Sequence, residues 1–146
     1  MPKKCNACCV EKRRQVCYNS DMRNDLEIQA VTDALLSLRA GALSEEYDLH
    51  RLIGQALEHA GLAFVHECPL APRCRIDFLV GRVGIEVKKG NPQRKLLLRQ
   101  LSRYLASDML DAVVVVCPRT IALPERLQNK RVVVVSLNRL WGVALP

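Results

Sequence analysis

Aromatic side chains are scarce in this chain of 146 residues, of which Phe, Trp and Tyr together make up only 4%. So few rings exclude an extended groove in which bases stack on aromatic side chains. Any contact with a nucleic acid would therefore depend on phosphates and on shape. Residues 1–24 also lack the apolar run that a signal peptide or a membrane span requires. We expect a cytoplasmic protein with no membrane partner.

The basic N-terminal segment lacks the second close cysteine pair that would complete a zinc site. Residues 1–24 carry four cysteines among several lysines and arginines: Cys5, Cys8, Cys9 and Cys17. The spacing of Cys5 and Cys8 is typical of zinc ligands, but only Cys17 follows at a distance. We predict a basic, cysteine-containing tail with reduced thiols over residues 1–24, and zinc at these cysteines is the alternative.

The rest of the chain has the size of one compact domain, which we assign to residues 25–146. Because 49% of the positions are hydrophobic, the chain can bury one core, and it is shorter than the chains whose cores usually split. The runs at residues 113–117 and 132–135 are apolar without alternation, which is typical of strands covered on both faces. A helix-length segment precedes the first run, so we expect that strand to return parallel to the one before the helix.

Two neighbouring segments alternate apolar and polar residues, as β-strands do. Residues 75–80 and 85–88 flank a Gly-Arg-Val-Gly turn, which predicts an antiparallel hairpin. Because alternate side chains of a strand share a face, we expect Asp77 to point away from Ile76 and Phe78.

The polar face of this hairpin gathers two carboxylates and an amine. Asp77 on the first strand, with Glu86 and Lys88 on the second, would lie side by side. Facing carboxylates repel each other unless a cation lies between them. The pattern therefore predicts a divalent ion, for which we choose Mg²⁺.

The order of these residues resembles the PD-(D/E)xK nuclease superfamily, which includes RecB-like and Holliday junction resolvase-like proteins. In that pattern an acid ends one strand and an acid-x-lysine follows on the next, as Asp77, Glu86 and Lys88 do here. The RecB-like branch adds a Q-x-x-x-Y signature, which Gln100 and Tyr104 match.

The resemblance covers residues 44–117 and implies a restriction endonuclease-like α/β fold. That fold has an αβββαβ core, a mixed sheet with an antiparallel catalytic hairpin, and flanking helices. The chain departs from the pattern at Ile76, which replaces the proline before the first acid. Proteins of this kind and size are typical of phages, mobile elements and DNA repair.

The resemblance also implies an activity, a cofactor and roles for residues. The activity is that of a deoxyribonuclease that depends on Mg²⁺ or Mn²⁺. Lys88 would orient the attacking water, and Gln100 and Tyr104 would position a phosphate or the 5′ end of a strand. The implied metal ligands are the carboxylates of Asp77, Glu86 and Glu46 and the main-chain carbonyl of Val87.

Glu46 is the predicted acid from the helix that precedes the hairpin. Residues 44–60 predict this helix, with a serine as N-cap. Acids in a first turn suit the helix dipole in any protein, so the assignment depends on the helix face. Glu46 shares a face with Leu49, whereas Glu45 lies about 100° further round. His50 follows on the face of Glu46, and we interpret it as a structural residue.

The net charge is +7, and many of the cations follow the second strand of the hairpin. Those we assign to nucleic-acid binding are Lys89, Arg94, Lys95, Arg99 and Arg103. Three of them recur at every fourth position and so share a helix face. A solvated helix face explains most charge runs, but these cations adjoin the predicted metal site. We therefore predict DNA as the partner.

The sequence leaves other functions open beside the favoured one of a metal-dependent DNA nuclease. One alternative is a non-catalytic module, on a nuclease-like fold, that binds nucleic acid or protein. Another is a regulatory protein tethered through zinc at the N-terminal cysteines. The sequence does not choose between endonuclease and exonuclease, and it leaves open whether the chain forms a homo-oligomer.

Overall fold

The computed structural model describes residues 6–38 and 46–140, with side chains for residues 20–38 and 49–138. The helices are α1 (Asn6–Leu36), α2 (Glu46–His59), α3 (Arg94–Leu105) and α4 (Leu137–Leu140). The strands are β1 (Val65–Ala71), β2 (Cys74–Val80), β3 (Val83–Val87), β4 (Ala112–Cys117), β5 (Arg126–Leu127) and β6 (Lys130–Ser136). None of the helices in the described ranges combines the length and apolar composition needed for a membrane crossing.

The strands in the described part of the chain form one mixed sheet in the order β1-β2-β3-β4-β6-β5. Neighbours β1 and β2, β2 and β3, and β5 and β6 are antiparallel. Strand β4 runs parallel to β3, because α3 provides the crossover that a parallel return requires, and it also runs parallel to β6. The predicted α/β class, the β2–β3 hairpin and the parallel return after α3 are confirmed.

Helices cover both faces of the sheet. Helices α1 and α2 pack on one face, and α3 packs on the other through Leu97, Leu101 and Leu105, which recur at every fourth position. Strand β4 is buried along its whole length, as predicted for residues 113–117. The same prediction for residues 132–135 is only partly right. Half of that run is partly exposed, because only the two-residue strand β5 lies beyond β6.

The alternation of β2 breaks at Asp77. Ile76 packs in the cluster under α3, whereas Phe78 packs in the cluster under α1 and α2, so they lie on opposite faces of the sheet. The prediction that these two side chains share a face is therefore wrong. Glu67 of the neighbouring strand has a left-handed backbone with φ of 53°, and the β1–β2 register omits Glu67 and Asp77. We attribute the change of face to this irregularity, because such a break reorients the side chains around it.

Helix α1 continues without interruption through residues 24 and 25, where the sequence predicted a boundary between tail and domain. Three of the N-terminal cysteines lie in its first half, where side chains are not described: Cys8, Cys9 and Cys17. Cys5 lies outside the described residues.

The turn between β2 and β3 is held by side chains from two sides. Gly81 has φ of 54°, and a Cβ there would lie 1.8 Å from Oε1 of Glu27 on α1. The Arg82 N–H donates to Oε2 of Glu27 at 3.2 Å. The Arg82 guanidinium donates to both carboxylate oxygens of Asp111, at 2.5 and 3.0 Å, and to the carbonyl of Asp108. The hairpin is thereby fixed to α1 and to the segment before β4.

The bidentate pair predicts a pH-dependent stability. The hydrogen bonds that Arg82 donates to Asp111 lower the pKa of the Asp111 carboxyl group. The pair therefore stabilises the fold fully above the ordinary Asp pKa of about 3.9 and loses its effect as the pH falls through the lowered value. Asp111→Asn should lower the melting temperature at pH 7 by a small amount, since both groups are partly exposed and such pairs contribute about 1 kcal/mol or less.

Thermal unfolding of wild type and Asp111→Asn between neutral pH and about pH 3 measures this difference. It should shrink toward the acid end. Asp21→Asn, at an exposed position of α1, is the control and should show little difference at any pH. A difference between wild type and Asp111→Asn that stays constant with pH would contradict the assignment.

Gly84 of β3 allows two apolar side chains to close over the strand. A Cβ at this position would lie 2.3 Å from Cδ1 of Ile76 and 3.2 Å from both methyl carbons of Leu110. Gly84→Ala should overpack this region and destabilise the fold by about 1–3 kcal/mol. Ile76→Val removes the methyl group that lies closest and alone should cost about 0.5–1.5 kcal/mol.

The double variant tests the contact directly. If Ile76 causes the clash, Gly84→Ala combined with Ile76→Val should be more stable than the sum of the single effects predicts. Urea unfolding of the four proteins gives the coupling energy. Additive effects would show that the clash lies elsewhere.

Candidate functional site

The predicted site residues lie where β2 and β3 separate. The ladder of the hairpin runs from Val80–Val83 to Phe78–Ile85, and Asp77 and Glu86 are the next residues beyond it. The separation leaves the Val87 N–H without a ladder partner in β2, and Oδ2 of Asp77 accepts its hydrogen bond at 2.7 Å. Asp77 belongs to β2 and Val87 to β3, so this bond fixes the geometry of the point where the two strands separate. We call this point, with Asp77, Glu86 and Val87, the fork.

The Glu86 side chain is the most buried acidic group with a described environment, at 3% exposure. One oxygen, Oε1, is well satisfied, since Lys88 Nζ lies 2.7 Å away and Gln100 Nε2 donates at 3.0 Å. The other oxygen, Oε2, is buried and has no hydrogen-bond partner among the described residues. A buried carboxylate oxygen without a partner carries a desolvation penalty, so it marks a position where a ligand would be stabilising.

Burial and charge act against each other on Glu86. Burial raises the pKa of Glu86 most strongly, and the nearby Asp77 carboxylate raises it further. The Lys88 ammonium and the Tyr104 hydroxyl both lower this pKa, although the hydroxyl lacks hydrogen-bond geometry to Oε2. The two acids therefore share one electrostatic environment, in which a cation would favour both of their charged forms.

Helix α3 supplies Gln100, whose side-chain amide donates a hydrogen bond to Glu86. Gln100 and Tyr104 lie one turn apart, and Gln100 Nε2 also donates to the Tyr104 hydroxyl oxygen at 2.6 Å. Burial, followed by the charge of Glu86, raises the pKa of Tyr104 far above its ordinary value. Tyr104 therefore remains a neutral hydroxyl. Gln100, Tyr104, Glu86 and Lys88 form one connected polar cluster, which we call the Glu86 cluster.

Helix α2 approaches the fork from the other face of the sheet. His50 Nε2 lies 4.0 Å from Oδ2 of Asp77, and this ring nitrogen is buried without a hydrogen-bond partner in the described ranges. Glu46, the acid that we predicted from this helix, is the first residue of α2, and its side chain is outside the described set. The helix ends at His59, one residue before the predicted end at residue 60, and the predicted start at residue 44 lies outside the described residues.

The cations predicted to bind nucleic acid lie on and before α3. All of them are exposed: Lys89, Arg94, Lys95, Arg99 and Arg103. Two already donate to backbone carbonyls, since Arg94 Nε contacts Ala122 and an Arg103 amino group contacts Arg73. The exposed face of α3 is therefore positive, and it borders the Glu86 cluster through Gln100.

A basic pocket beside α3 contains two cations that the sequence analysis missed. Its volume is about 490 Å³, and Arg73, Arg75 and Arg103 line it together with Gln100 and Tyr104. The first two belong to the β1–β2 hairpin and are separated from α3 in sequence. Their position next to the Glu86 cluster depends on tertiary packing, so no local pattern could have identified them.

The donor set in the described region fits a hard divalent cation better than a soft one. The side chains described form no group of three or more His, Cys, Asp or Glu residues around one point. Asp77 and Glu86 supply two carboxylates, and Oε2 of Glu86 is unsatisfied. Mg²⁺ is usually held by one or two carboxylates together with waters and substrate phosphates, so two acids meet its requirement.

No protein-family model matches this chain, and neither the curated proteins nor the solved structures yield a match. The geometry of the fork and of the Glu86 cluster is therefore the basis for assigning a function.

Proposed function

We propose that this protein is a metal-dependent deoxyribonuclease with a restriction endonuclease-like core formed by α2, β1, β2, β3, α3 and β4. Asp77 and Glu86 would hold Mg²⁺ or Mn²⁺, with the Val87 carbonyl and Glu46 as further ligands. The order of the elements, one helix, three strands, a helix and a parallel strand, supports this core.

The unsatisfied Oε2 of Glu86 is the observation that carries the proposal. Glu86 is only 3% exposed, and a purely structural position with so little exposure is more stable with an apolar side chain or with a polar side chain whose atoms are all hydrogen-bonded. Instead, one oxygen of Glu86 is held by Lys88 and Gln100, and the other is left without a partner among the described residues. Such an arrangement orients the free oxygen for a ligand.

The residues of the fork have separate roles in this proposal. When bound, the ion would polarise the scissile phosphate and lower the pKa of an attacking water. The Lys88 ammonium would offset the negative charge that develops on the phosphate. Gln100 keeps Glu86 in position through its hydrogen bond to Oε1. Tyr104, as a neutral hydroxyl, can donate to a phosphate oxygen.

The surrounding cations fit a polyanionic substrate. The positive face of α3 and the basic pocket both border Gln100, so a phosphate backbone on these cations would pass the Glu86 cluster. Binding through phosphates would weaken steeply with added salt, because each contact releases condensed counterions.

A second candidate function is a nuclease-like module that binds nucleic acid without cutting it. The contact that favours it is the Lys88 ammonium, which lies 2.7 Å from Glu86 and can neutralise that carboxylate without a metal. Metal binding and cleavage distinguish the two candidates.

We expect divalent ions to raise the melting temperature of wild type. A ligand that binds only the folded state stabilises it, by about 2.7 kcal/mol at a concentration one hundred times its dissociation constant. For a chain of this length that corresponds to several degrees. Asp77→Asn and Glu86→Gln should abolish most of the shift. Glu58→Gln, an isosteric change at an exposed position of α2, should keep it. Equal shifts in all four proteins would show that the ion binds elsewhere.

Cleavage and binding should separate the roles of the acids and the lysine. Asp77→Asn and Glu86→Gln should reduce cleavage at least about 100-fold, yet keep or strengthen DNA binding in EDTA, since they remove charges that repel phosphate. Lys88→Ala should reduce cleavage similarly but weaken binding, because it removes a cation. Supercoiled plasmid and end-labelled single- and double-stranded DNA, with Mg²⁺, Mn²⁺ or EDTA, provide the assay.

The controls for this assay are Glu58→Gln and Arg126→Ala, which change exposed side chains outside the fork. Nicking of the closed circle would establish endonuclease action, and a requirement for ends would establish exonuclease action. If wild type cuts no DNA with either metal, or if Asp77→Asn cuts as well as wild type, the hydrolytic proposal is wrong and the binding module replaces it.

A further inference from the structure

A cavity of about 720 Å³ lies beside the fork, on the face of the sheet that α2 covers. Its lining comes from α2, from β2, from β1 and from the residue before β1: His50, Arg51, Gly54, Phe64, His66, Glu67 and Phe78. The chain contains two phenylalanines and three histidines, and both phenylalanines and two of the histidines line this cavity. Four rings are therefore grouped beside the fork, where His50 lies 4.0 Å from Asp77.

The rings form flat walls. Phe78 is 2% exposed and forms the base of the group, with its ring centroid 4.7 Å from that of His66 and 5.6 Å from that of Phe64. Phe64 is half-buried and His66 is exposed, so both present ring surface to the cavity. Concave sites with mostly apolar walls and a few polar groups are typical of small planar ligands.

The polar groups of the cavity lie on the side of Asp77 and at the rim. His50 Nδ1 is 3.2 Å from Nε2 of His66, which orients the His50 ring. The buried Nε2 of His50 then points to the fork, 4.0 Å from Asp77, without a hydrogen-bond partner in the described residues. Arg51 adds an exposed cation to the lining. A ligand here would meet flat ring walls, the cation of Arg51 and the carboxylate of Glu67, which Arg75 contacts at 3.5 Å.

We propose that this cavity binds one unpaired nucleobase of the strand whose phosphate reaches Asp77 and Glu86. A nucleobase has flat faces for stacking on Phe64 and His66, and its own phosphate would suit Arg51. This inference rests on the proposed function and names its substrate class. A base inside a duplex must first be unpaired and unstacked, so the site favours single strands, frayed ends and flaps over continuous duplex.

Gly54 of α2 provides a way to fill the cavity without removing an aromatic ring. A Cβ at this position would lie 3.6 Å from Phe64, an ordinary contact, and glycine within a helix costs about 1 kcal/mol relative to alanine. Gly54→Ala should therefore be tolerated. Gly54→Leu places a larger side chain into the space that the base would occupy.

The test compares two ligands of equal charge in EDTA: a short oligothymidylate, and an oligomer of the same length with an abasic backbone. Because both carry the same phosphates, the ratio of their dissociation constants reports the bases alone. Wild type should bind the oligothymidylate about 5- to 100-fold more tightly. Phe64→Ala, His66→Ala and Gly54→Leu should bring the ratio close to one.

His59→Ala is the matched control, since His59 is the remaining histidine of the chain and is not part of the lining. This variant should keep the ratio of wild type. Thermal unfolding of each variant shows that it is folded. A ratio near one in wild type, or an unchanged ratio in Phe64→Ala, His66→Ala and Gly54→Leu, would overturn the inference.

The outcome is independent of cleavage. A large ratio in wild type that the three cavity variants abolish, in a protein that cuts no DNA, would support the base site and reject the nuclease. Cleavage by a protein whose ratio is near one would support the nuclease and reject the base site. For a protein that cuts, one abasic residue within a single strand should suppress cleavage at a fixed offset, and uniform cleavage around it would contradict the site.

Discussion

The Glu86 carboxylate is a charged group in nearly dry surroundings, and the neighbouring elements are organised around the penalty that this imposes. Lys88, which directly follows β3, neutralises it, and Gln100 reaches it from α3. These contacts satisfy one oxygen and leave the other buried and unpaired within the described structure. Strand β3 can hold such a group because β2 and β4 flank it and helices cover both faces. The site is thus held in place by the core, and its unpaired buried oxygen lowers the stability of that core.

Local sequence patterns predicted the elements that carry the site. Alternation and a glycine turn identified the hairpin of β2 and β3, and a four-residue spacing placed Gln100 and Tyr104 on one face of α3. The uninterrupted apolar run of β4 correctly predicted burial on both faces. These features depend on neighbours in sequence, so the sequence alone contains the necessary information.

Other features depend on residues that are distant in sequence and could not be predicted in this way. Alternation failed at Asp77, and we attribute the failure to the left-handed backbone of Glu67 in the neighbouring strand β1. Composition predicted too few rings for a base-stacking groove, yet packing places Phe64 and Phe78 together next to the fork. Likewise, the basic pocket combines Arg73 with Arg103, which only the docking of α3 on the sheet brings close.

The irregularity in β1 also affects how the protein meets other copies of itself. Strand β1 is an edge of the sheet, where unpaired N–H and C=O groups could template the addition of another chain. Glu67, with its left-handed backbone, interrupts this edge, and Pro69 removes one of its N–H donors. A regular edge strand would present a continuous ladder for aggregation. The same break that reorients β2 around Asp77 therefore also protects the open side of the sheet from strand-to-strand association.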